Sequence, residues 1–134
     1  MARGDEDSVL FVCIENSSRS QMAEGFAKRL GMKAASAGTV PSTHVNPLVV
    51  QAMKEVGIDI TLNKPREITP EMVGQAKLVV LTDASLRQSI DKNLAKKMKK
   101  KLVEWNLPDP QGKSIEEIRF IRDQIERMVS TLAR

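Results

Sequence analysis

The only cysteine of the chain, Cys13, lies six residues before an arginine, Arg19. The residues concerned read Cys13-Ile14-Glu15-Asn16-Ser17-Ser18-Arg19-Ser20. A mostly apolar run, residues 8–12, precedes them and a helix-like segment, residues 21–30, follows, which predicts a turn between a strand and a helix. Backbone N–H groups and the helix N-terminus attract an oxyanion to such a turn, and the same field favours the thiolate form of a cysteine there. We therefore call residues 13–20 the anion loop.

The side chains of the anion loop suit an anion site to different degrees. Arg19 offers a planar, permanently charged fork to two oxygens of a phosphate or arsenate. Asn16 is expected to tie the loop to itself and to take a left-handed backbone. Ser20 is expected to be the N-cap of the following helix and to donate a hydrogen bond to the Cys13 sulfur. Glu15 fits least well because a carboxylate pointing inward repels an anion, so we expect its side chain to face solvent.

Strand and helix patterns alternate along the chain, which predicts an α/β domain with a parallel sheet. The expected fold is a single domain, residues 1–134, with a four-stranded parallel sheet and helices on both faces. The predicted strands are residues 8–12, 33–37, 78–81 and 102–105, and the predicted helices include residues 21–30, 46–57, 85–98 and 114–132, with a further start at 69–70. Because ligands bind beyond the carboxyl ends of parallel strands, Cys13 and Asp109 are expected on one rim of the sheet.

The amino-acid composition argues against a membrane span, an internal disulfide and a zinc site. No apolar run approaches the roughly 20 residues that cross a bilayer, and residues 1–7 are polar, without an apolar signal core, and expected to be flexible. One cysteine excludes an internal disulfide and suits a reducing compartment, so we expect a cytoplasmic protein that does not bind membranes. A single histidine, His44, expected to be exposed and non-catalytic, together with one cysteine makes no zinc site, and we expect neither a metal nor a cofactor.

The charge balance favours an anionic ligand. The net charge is +4, and residues 96–101 contribute five lysines to it. A nucleic-acid surface of this kind normally carries aromatic residues for stacking, and none is interleaved with this cluster. We therefore expect the lysines to form a solvated face rather than a nucleic-acid site.

A family resemblance rests on the residues just described. The segment from Val9 to Phe26 resembles the opening of the low-molecular-weight protein tyrosine phosphatase superfamily, and residues 19–25 are most similar to its arsenate reductase branch. The similarity covers nearly the whole chain and continues through residues 36–39, 46–47, 52–53, 57–60 and 105–110. The resemblance implies that the aspartate of the late Asp-Pro pair, Asp109, is the general acid, and that Cys13 and Arg19 are catalytic.

The favoured function is hydrolysis of phosphomonoesters. Cys13 attacks the phosphorus and forms a phosphocysteine, while Arg19 and the backbone of the loop residues Ile14, Glu15, Asn16, Ser17, Ser18 and Ser20 hold the oxygens. Asp109 protonates the leaving group and then takes a proton from the attacking water. Gln111 and Gly112 follow the Asp-Pro pair where phosphotyrosine phosphatases usually have aromatic residues, which puts a preference for tyrosine phosphate in doubt.

Two alternatives remain open. The first is arsenate reduction, in which an external thiol or a redoxin resolves a cysteine–arsenate adduct. The external thiol is needed because Ser18 stands where some relatives have a second cysteine, and residues 82–87 contain none. The second is a non-catalytic anion or nucleic-acid binder that uses the lysine cluster.

Overall fold

The computed structural model of the protein describes residues 8–133, so the expected flexibility of residues 1–7 lies outside the described residues. Within this range four strands form one parallel sheet in the order β2-β1-β3-β4. They are β1 (Val9–Cys13), β2 (Ala34–Gly38), β3 (Leu78–Leu81) and β4 (Leu102–Glu104). Their bounds lie within one residue of those predicted, and the α/β fold class is confirmed.

Helices cover both faces of the sheet, because alternate side chains of each strand are apolar on both sides. The helices are α1 (Arg19–Arg29), α2 (Pro47–Glu55), α3 (Pro70–Gln75), α4 (Lys92–Met98) and α5 (Ile115–Leu132). One core joins α1, α2 and α5 to the side of the sheet that presents Phe11 and Val80. The other joins α3 and α4 to the side that presents Val12 and Val79.

Three helices begin within one residue of their predicted starts, each after a capping side chain. Asn46 accepts from the N–H of Leu48 at 2.9 Å, and Thr69 accepts from the N–H of Met72 at 3.2 Å. Ser114 and Glu117 form a capping box at the start of α5. Each such cap contributes about 1 kcal/mol to stability, which fixes where the helices start relative to the sheet.

The prediction of one helix over residues 85–98 is wrong. A 3₁₀ helix spans Ala84–Ser89, the backbone is extended at Ile90, and α4 starts only at Lys92. The break has a local cause, since the Asp91 side chain accepts from the N–H of Leu94 at 3.3 Å and so caps a new helix.

The lysine cluster is mostly exposed, as expected, with one exception. Lys101 is half-buried, and its Nζ donates to the carbonyl oxygens of Val73 at 2.8 Å and Ala76 at 2.7 Å. These carbonyls lie at the end of α3, so Lys101 caps that helix.

The strand order determines where a ligand site can form. From β1 the chain passes to β2 on one side, and β3 then pairs on the other side of β1, so the order reverses at β1. In open parallel sheets a crevice opens beyond the carboxyl ends of the strands at this point. Cys13 is the last residue of β1 and lies at the reversal. Among residues 8–133 no helix is long and apolar enough to span a membrane.

Candidate active site

The backbone of the anion loop presents its carbonyl groups to the rest of the protein. Every carbonyl oxygen from Cys13 to Ser18 accepts a hydrogen bond from another part of the chain. The donors, in order, are the backbone N–H groups of Thr39, Val40 and Ser42, the side-chain amide of Gln21, and the backbone N–H groups of Asn46 and Met22, at 2.8–3.2 Å. With the carbonyls tied in this way, the orientation of the peptide units in the loop is fixed.

Most N–H groups of the same loop are left without an acceptor among the described residues. Those of Ile14, Glu15, Ser17 and Ser18 make no hydrogen bond to any of the residues that the structure describes. The N–H of Asn16 is 3.2 Å from the sulfur of Cys13. A set of successive free N–H donors is the arrangement that binds oxyanions.

Gly38 allows the loop to lie against the end of β2. A Cβ atom at this position would be 2.5 Å from the carbonyl oxygen of Ile14 and 2.9 Å from the backbone nitrogen of Asn16. No side chain fits in that space, so glycine is required for the observed path of the loop. Sequence reasoning assigned no role to this residue, although a glycine directly after a predicted strand was visible.

The thiol of Cys13 is held in a polar environment although the residue is only 3% exposed. Its Sγ lies 2.8 Å from the Oγ of Ser20, and that Oγ also accepts a hydrogen bond of 2.8 Å from the Nδ2 of Asn16. Because Asn16 occupies the acceptor side of the hydroxyl, the hydroxyl proton is free to point at the sulfur. The Ser20 hydroxyl and the Asn16 N–H are thus two groups that can donate to one sulfur.

Asn16 connects the loop to a neighbouring segment. The residue is fully buried and has a φ of 52°, so the expected left-handed backbone is confirmed. Its Oδ1 accepts from the backbone N–H of Arg66 at 2.9 Å and from the Nε2 of Gln21 at 3.3 Å. The Oε1 of Gln21 accepts in turn from Asn63 at 3.0 Å. This buried network holds the base of the anion loop against residues 63–66.

The expectation that Ser20 is an N-cap is wrong. The helix α1 begins at Arg19, Ser18 is the N-cap residue, and Ser18 makes no capping hydrogen bond with its side chain. The Ser20 hydroxyl bonds to the sulfur instead. The first turn of α1 is thus left uncapped by protein, and its positive end is available to an anion.

Arg19 is buried and held by two acceptors that sequence reasoning missed. The residue is 4% exposed, and its Nη1 donates to the carbonyl oxygen of Leu107 at 3.0 Å and to the carboxylate of Asp83 at 3.5 Å. The pKa of Asp83 is lowered, chiefly by the backbone N–H of Ser85 and also by Arg19, so Asp83 is anionic. Nε and Nη2 of Arg19 have no partner among residues 8–133, which leaves them for a ligand.

A cavity of about 380 Å³ opens over the anion loop. It is lined by Cys13, Ile14, Glu15, Ser17, Ser18, Arg19, Ser42, His44, Asn46, Pro47, Asp109 and Gln111, with no Phe, Tyr or Trp among them. Asp109 is exposed at this cavity, and its Oδ1 accepts from the N–H of Gln111 at 3.0 Å. Cys13, Arg19 and Asp109 therefore share one cavity, as their positions after strands predict. His44 also lines it and is exposed, as expected.

Glu15 is half-buried and is one of the residues that line the cavity, and the direction of its side chain stays a prediction. Its carbonyl oxygen accepts from the N–H of Ser42 at 3.0 Å.

These features form a candidate oxyanion site around a cysteine at the switch point of a parallel sheet. The chain belongs to the low molecular weight phosphotyrosine protein phosphatase family, whose model matches residues 8–134. It is therefore an enzyme of the low-molecular-weight cysteine phosphatase and arsenate reductase type.

Some of the similar proteins are named arsenate reductases and others are named phosphatases. Arsenate reductase 2 of Staphylococcus epidermidis is 37% identical over 132 residues, covering 95% of this chain and 96% of that protein. A solved arsenate reductase in the phosphate binding state is 33% identical with a TM-score of 0.79, covering 95% and 96% of the two chains. A low molecular weight protein tyrosine phosphatase from T. tengcongensis is 27% identical with a TM-score of 0.80, covering 93% and 96%. The similar proteins support a phosphate-like oxyanion as the substrate.

Proposed function

We propose that this enzyme hydrolyses phosphate monoesters through a phosphocysteine formed on Cys13. The observation that carries the proposal is the contrast within the anion loop between tied carbonyl groups and free N–H groups, around a sulfur held by Ser20 and Asn16. Such a loop binds a tetrahedral oxyanion and places a thiolate directly beneath it.

In the first step the Cys13 thiolate attacks phosphorus, an S–P bond forms and the P–O ester bond breaks. The free N–H groups and the unpaired nitrogens of Arg19 hold the non-bridging oxygens, on which negative charge is spread in the transition state. Asp109 gives its proton to the departing oxygen, so the product is a neutral alcohol or phenol.

In the second step water attacks the phosphocysteine. The Asp109 carboxylate takes a proton from this water, the S–P bond breaks, and the sulfur leaves as a thiolate with inorganic phosphate as the product. The hydrogen bonds from Ser20 and Asn16 stabilise this leaving thiolate just as they stabilise the attacking one. The same two contacts therefore serve both steps.

The lining of the cavity limits the choice of substrate, and the single thiol indicates where in the cell the enzyme acts. No Phe, Tyr or Trp lines the cavity, so a phosphotyrosine ring has no phenyl or indole ring to stack on there. The single free thiol must stay reduced to act, which favours a cytoplasmic location.

Arsenate reduction with an external thiol is a second candidate, favoured by relatives such as the arsenate reductase of S. epidermidis. Cys13 would displace water from arsenate and form an S–As(V) adduct. A thiol of a small molecule or redoxin would then attack the Cys13 sulfur, arsenite would leave with the electron pair, and a mixed disulfide would remain. A second external thiol would release Cys13, so two thiols are oxidised per arsenate reduced. The external partner is required because the chain has one cysteine.

A side-by-side rate measurement separates the two activities. Purified protein is given an aryl phosphate without thiol, and separately arsenate with an excess of small-molecule thiol or redoxin. The proposal expects release of the phenol without thiol, at a rate well above arsenate turnover, and loss of that release in Cys13→Ala. Arsenate turnover far above ester hydrolysis would replace the proposal with its alternative.

A further inference from the structure

Among the described residues, Gln21 is the only one that ties a carbonyl group of residues 13–18 with its side chain. The other carbonyl oxygens of that stretch accept from backbone N–H groups, whereas the oxygen of Asn16 accepts from the Nε2 of Gln21 at 3.1 Å. Gln21 is only 2% exposed although its amide is polar. A backbone donor is present whatever the side chain, so only the Asn16 carbonyl depends on the residue type at position 21.

The amide of Gln21 is held at both ends. Its Oε1 accepts from the Nδ2 of Asn63 at 3.0 Å, and its Nε2 also lies 3.3 Å from the Oδ1 of Asn16. A carboxylate could accept from Asn63 but could not donate to Asn16, and a hydrocarbon could do neither. Glutamine supplies the acceptor and the donor that the two neighbours need.

The tie on the Asn16 carbonyl sets the direction of the next N–H group along the loop. In a trans peptide the C=O and N–H bonds lie in one plane and point in opposite directions. The carbonyl of Asn16 and the N–H of Ser17 belong to the same peptide, so the N–H of Ser17 points away from Gln21. That N–H has no acceptor among the described residues, and Ser17 lines the cavity.

We propose that Gln21 is a positioning residue for oxyanion binding, which aims the N–H of Ser17 at the anion. The inference rests on the oxyanion site of the proposed function and adds a residue that acts through the loop without touching the ligand. Asn16 is fully buried, so without Gln21 its carbonyl oxygen would have no partner. Rotation of the peptide would relieve that cost by turning the oxygen toward the cavity, where it would repel an oxyanion.

Gln21→Met tests this, because methionine has a similar length and volume but no donor. Phosphate affinity is measured as the concentration of inorganic phosphate that halves the rate at which iodoacetamide alkylates Cys13, so no turnover is needed. We expect that concentration to rise about tenfold, the effect of losing one hydrogen bond to a charged ligand. Without phosphate the alkylation rate should be nearly unchanged, because the sulfur contacts only Ser20 and the N–H of Asn16.

Amide NMR distinguishes a misdirected N–H group from a loosened loop. In the unmodified protein, saturation with phosphate should move the amide proton resonances of Ser17 and Ser18 downfield, as each N–H donates to the anion. In Gln21→Met the shift of Ser17 should be lost and that of Ser18 retained. The Ser18 N–H belongs to the peptide whose carbonyl is tied by the backbone N–H of Asn46, which the substitution leaves in place.

Ser36→Ala is the matched control. Ser36 is 1% exposed and its hydroxyl donates to Glu24 on α1 at 2.5 Å, so this variant also loses a buried hydrogen bond but none to the anion loop. It should lower the free energy of unfolding and leave phosphate affinity unchanged. If Gln21→Met does not fold, Asn63→Ala replaces it, since it frees the far end of the amide at a partly exposed position and should weaken phosphate binding to a smaller extent.

The outcomes that overturn the inference are distinct from failure of the proposed function. Unchanged phosphate affinity in Gln21→Met, or in Asn63→Ala if the first variant does not fold, overturns the role of Gln21. Equal loss of the Ser17 and Ser18 shifts, or an equal loss of affinity in Ser36→Ala, does the same. In each case phosphate still protects the unmodified protein and the oxyanion site stands. No protection by phosphate in the unmodified protein overturns that site, and the inference falls with it.

Discussion

The Cys13 sulfur lies 2.8 Å from the Ser20 hydroxyl, whose oxygen also accepts a hydrogen bond from Asn16. The Asn16 amide occupies one acceptor position of that oxygen and leaves the hydroxyl proton free to point at the sulfur, so in the proposed mechanism Ser20 stabilises the thiolate both as attacker and as leaving group. A hydrogen bond to a charged group contributes about 1.5–3 kcal/mol, which corresponds to a factor of about 10 to 100.

Replacing Ser20 by alanine is therefore expected to slow the reaction of Cys13 with iodoacetamide at pH 6 about tenfold and to lower kcat. Ser17→Ala removes a hydroxyl from the same loop that makes no bond to the sulfur, and it should alkylate at nearly the unmodified rate. Equal alkylation rates in Ser20→Ala and Ser17→Ala would show that the hydroxyl does not act on the sulfur.

Gly38→Ala is expected to displace the anion loop. The added Cβ would meet the backbone of Ile14 and Asn16 at 2.5 and 2.9 Å, and backbone cannot move aside as a flexible side chain can. We expect the free energy of unfolding to fall by about 1–3 kcal/mol. We expect the affinity for phosphate to fall by a larger fraction than the free energy of unfolding does.

Gly74→Ala is the matched control for that substitution, since a Cβ there meets nothing within 4 Å and the residue lies in α3. It should leave activity unchanged and stabilise the protein by about 0.5–1 kcal/mol. For both variants, urea unfolding measures the free energy of unfolding and inhibition by phosphate measures the phosphate affinity. Unchanged phosphate affinity in Gly38→Ala would contradict the tight packing of the loop on β2.

Asp109→Asn is expected to slow hydrolysis according to the leaving group. With phenyl phosphate, whose phenoxide leaves poorly, kcat should fall about 100-fold, because protonation by Asp109 is lost. With a dinitrophenyl phosphate the loss should be below about tenfold, since that anion leaves without a proton. Asp59→Asn is the control, because Asp59 also accepts from the backbone two residues on, at 2.9 Å, but does not line the cavity. Equal losses for both substrates would remove Asp109 as the acid.

Stability at low pH should depend on Glu55, which joins α2 to α5. Its carboxylate bonds to Arg119 at 2.7 Å and Arg122 at 2.9 Å, and these contacts, Arg119 first, lower its pKa from 4.5 to about 2. Because the folded pKa lies below the unfolded one, its contribution is complete above about pH 4.5 and is lost as the pH falls toward about 2.

The measurement for Glu55 is the free energy of urea unfolding of the unmodified protein and of Glu55→Gln at several pH values. The gap between them should be constant from pH 7 to about pH 5 and should narrow at pH 3. Glu71→Gln, at an exposed carboxylate without an ion pair among the described residues, provides the baseline. A gap that stays constant down to pH 2.5 would contradict the lowered pKa of Glu55.

What the sequence predicts here is mainly local. The strands and the helix starts near residues 46, 69 and 114 are predictable because each depends on neighbouring residues. The break at Asp91 was missed because a capping side chain competes with helix continuation on nearly equal terms.

The residues that contact the site side chains are set by the arrangement of the strands in the sheet. Local sequence patterns therefore do not predict these contacts. Arg19 meets Asp83 and Leu107, which are 64 and 88 residues away along the chain, only because β3 and β4 end at the same rim as β1. The need for glycine at Gly38 likewise depends on the path of a loop from another strand.

The most direct test of the mechanism is to trap the intermediate. Protein is mixed with an aryl phosphate labelled at phosphorus, quenched in acid after a few milliseconds, and digested to find the labelled peptide. The mechanism predicts label on Cys13, at up to one phosphate per chain, and neither label nor turnover in Cys13→Ala. Turnover that persists in Cys13→Ala, or label on another residue, would contradict it.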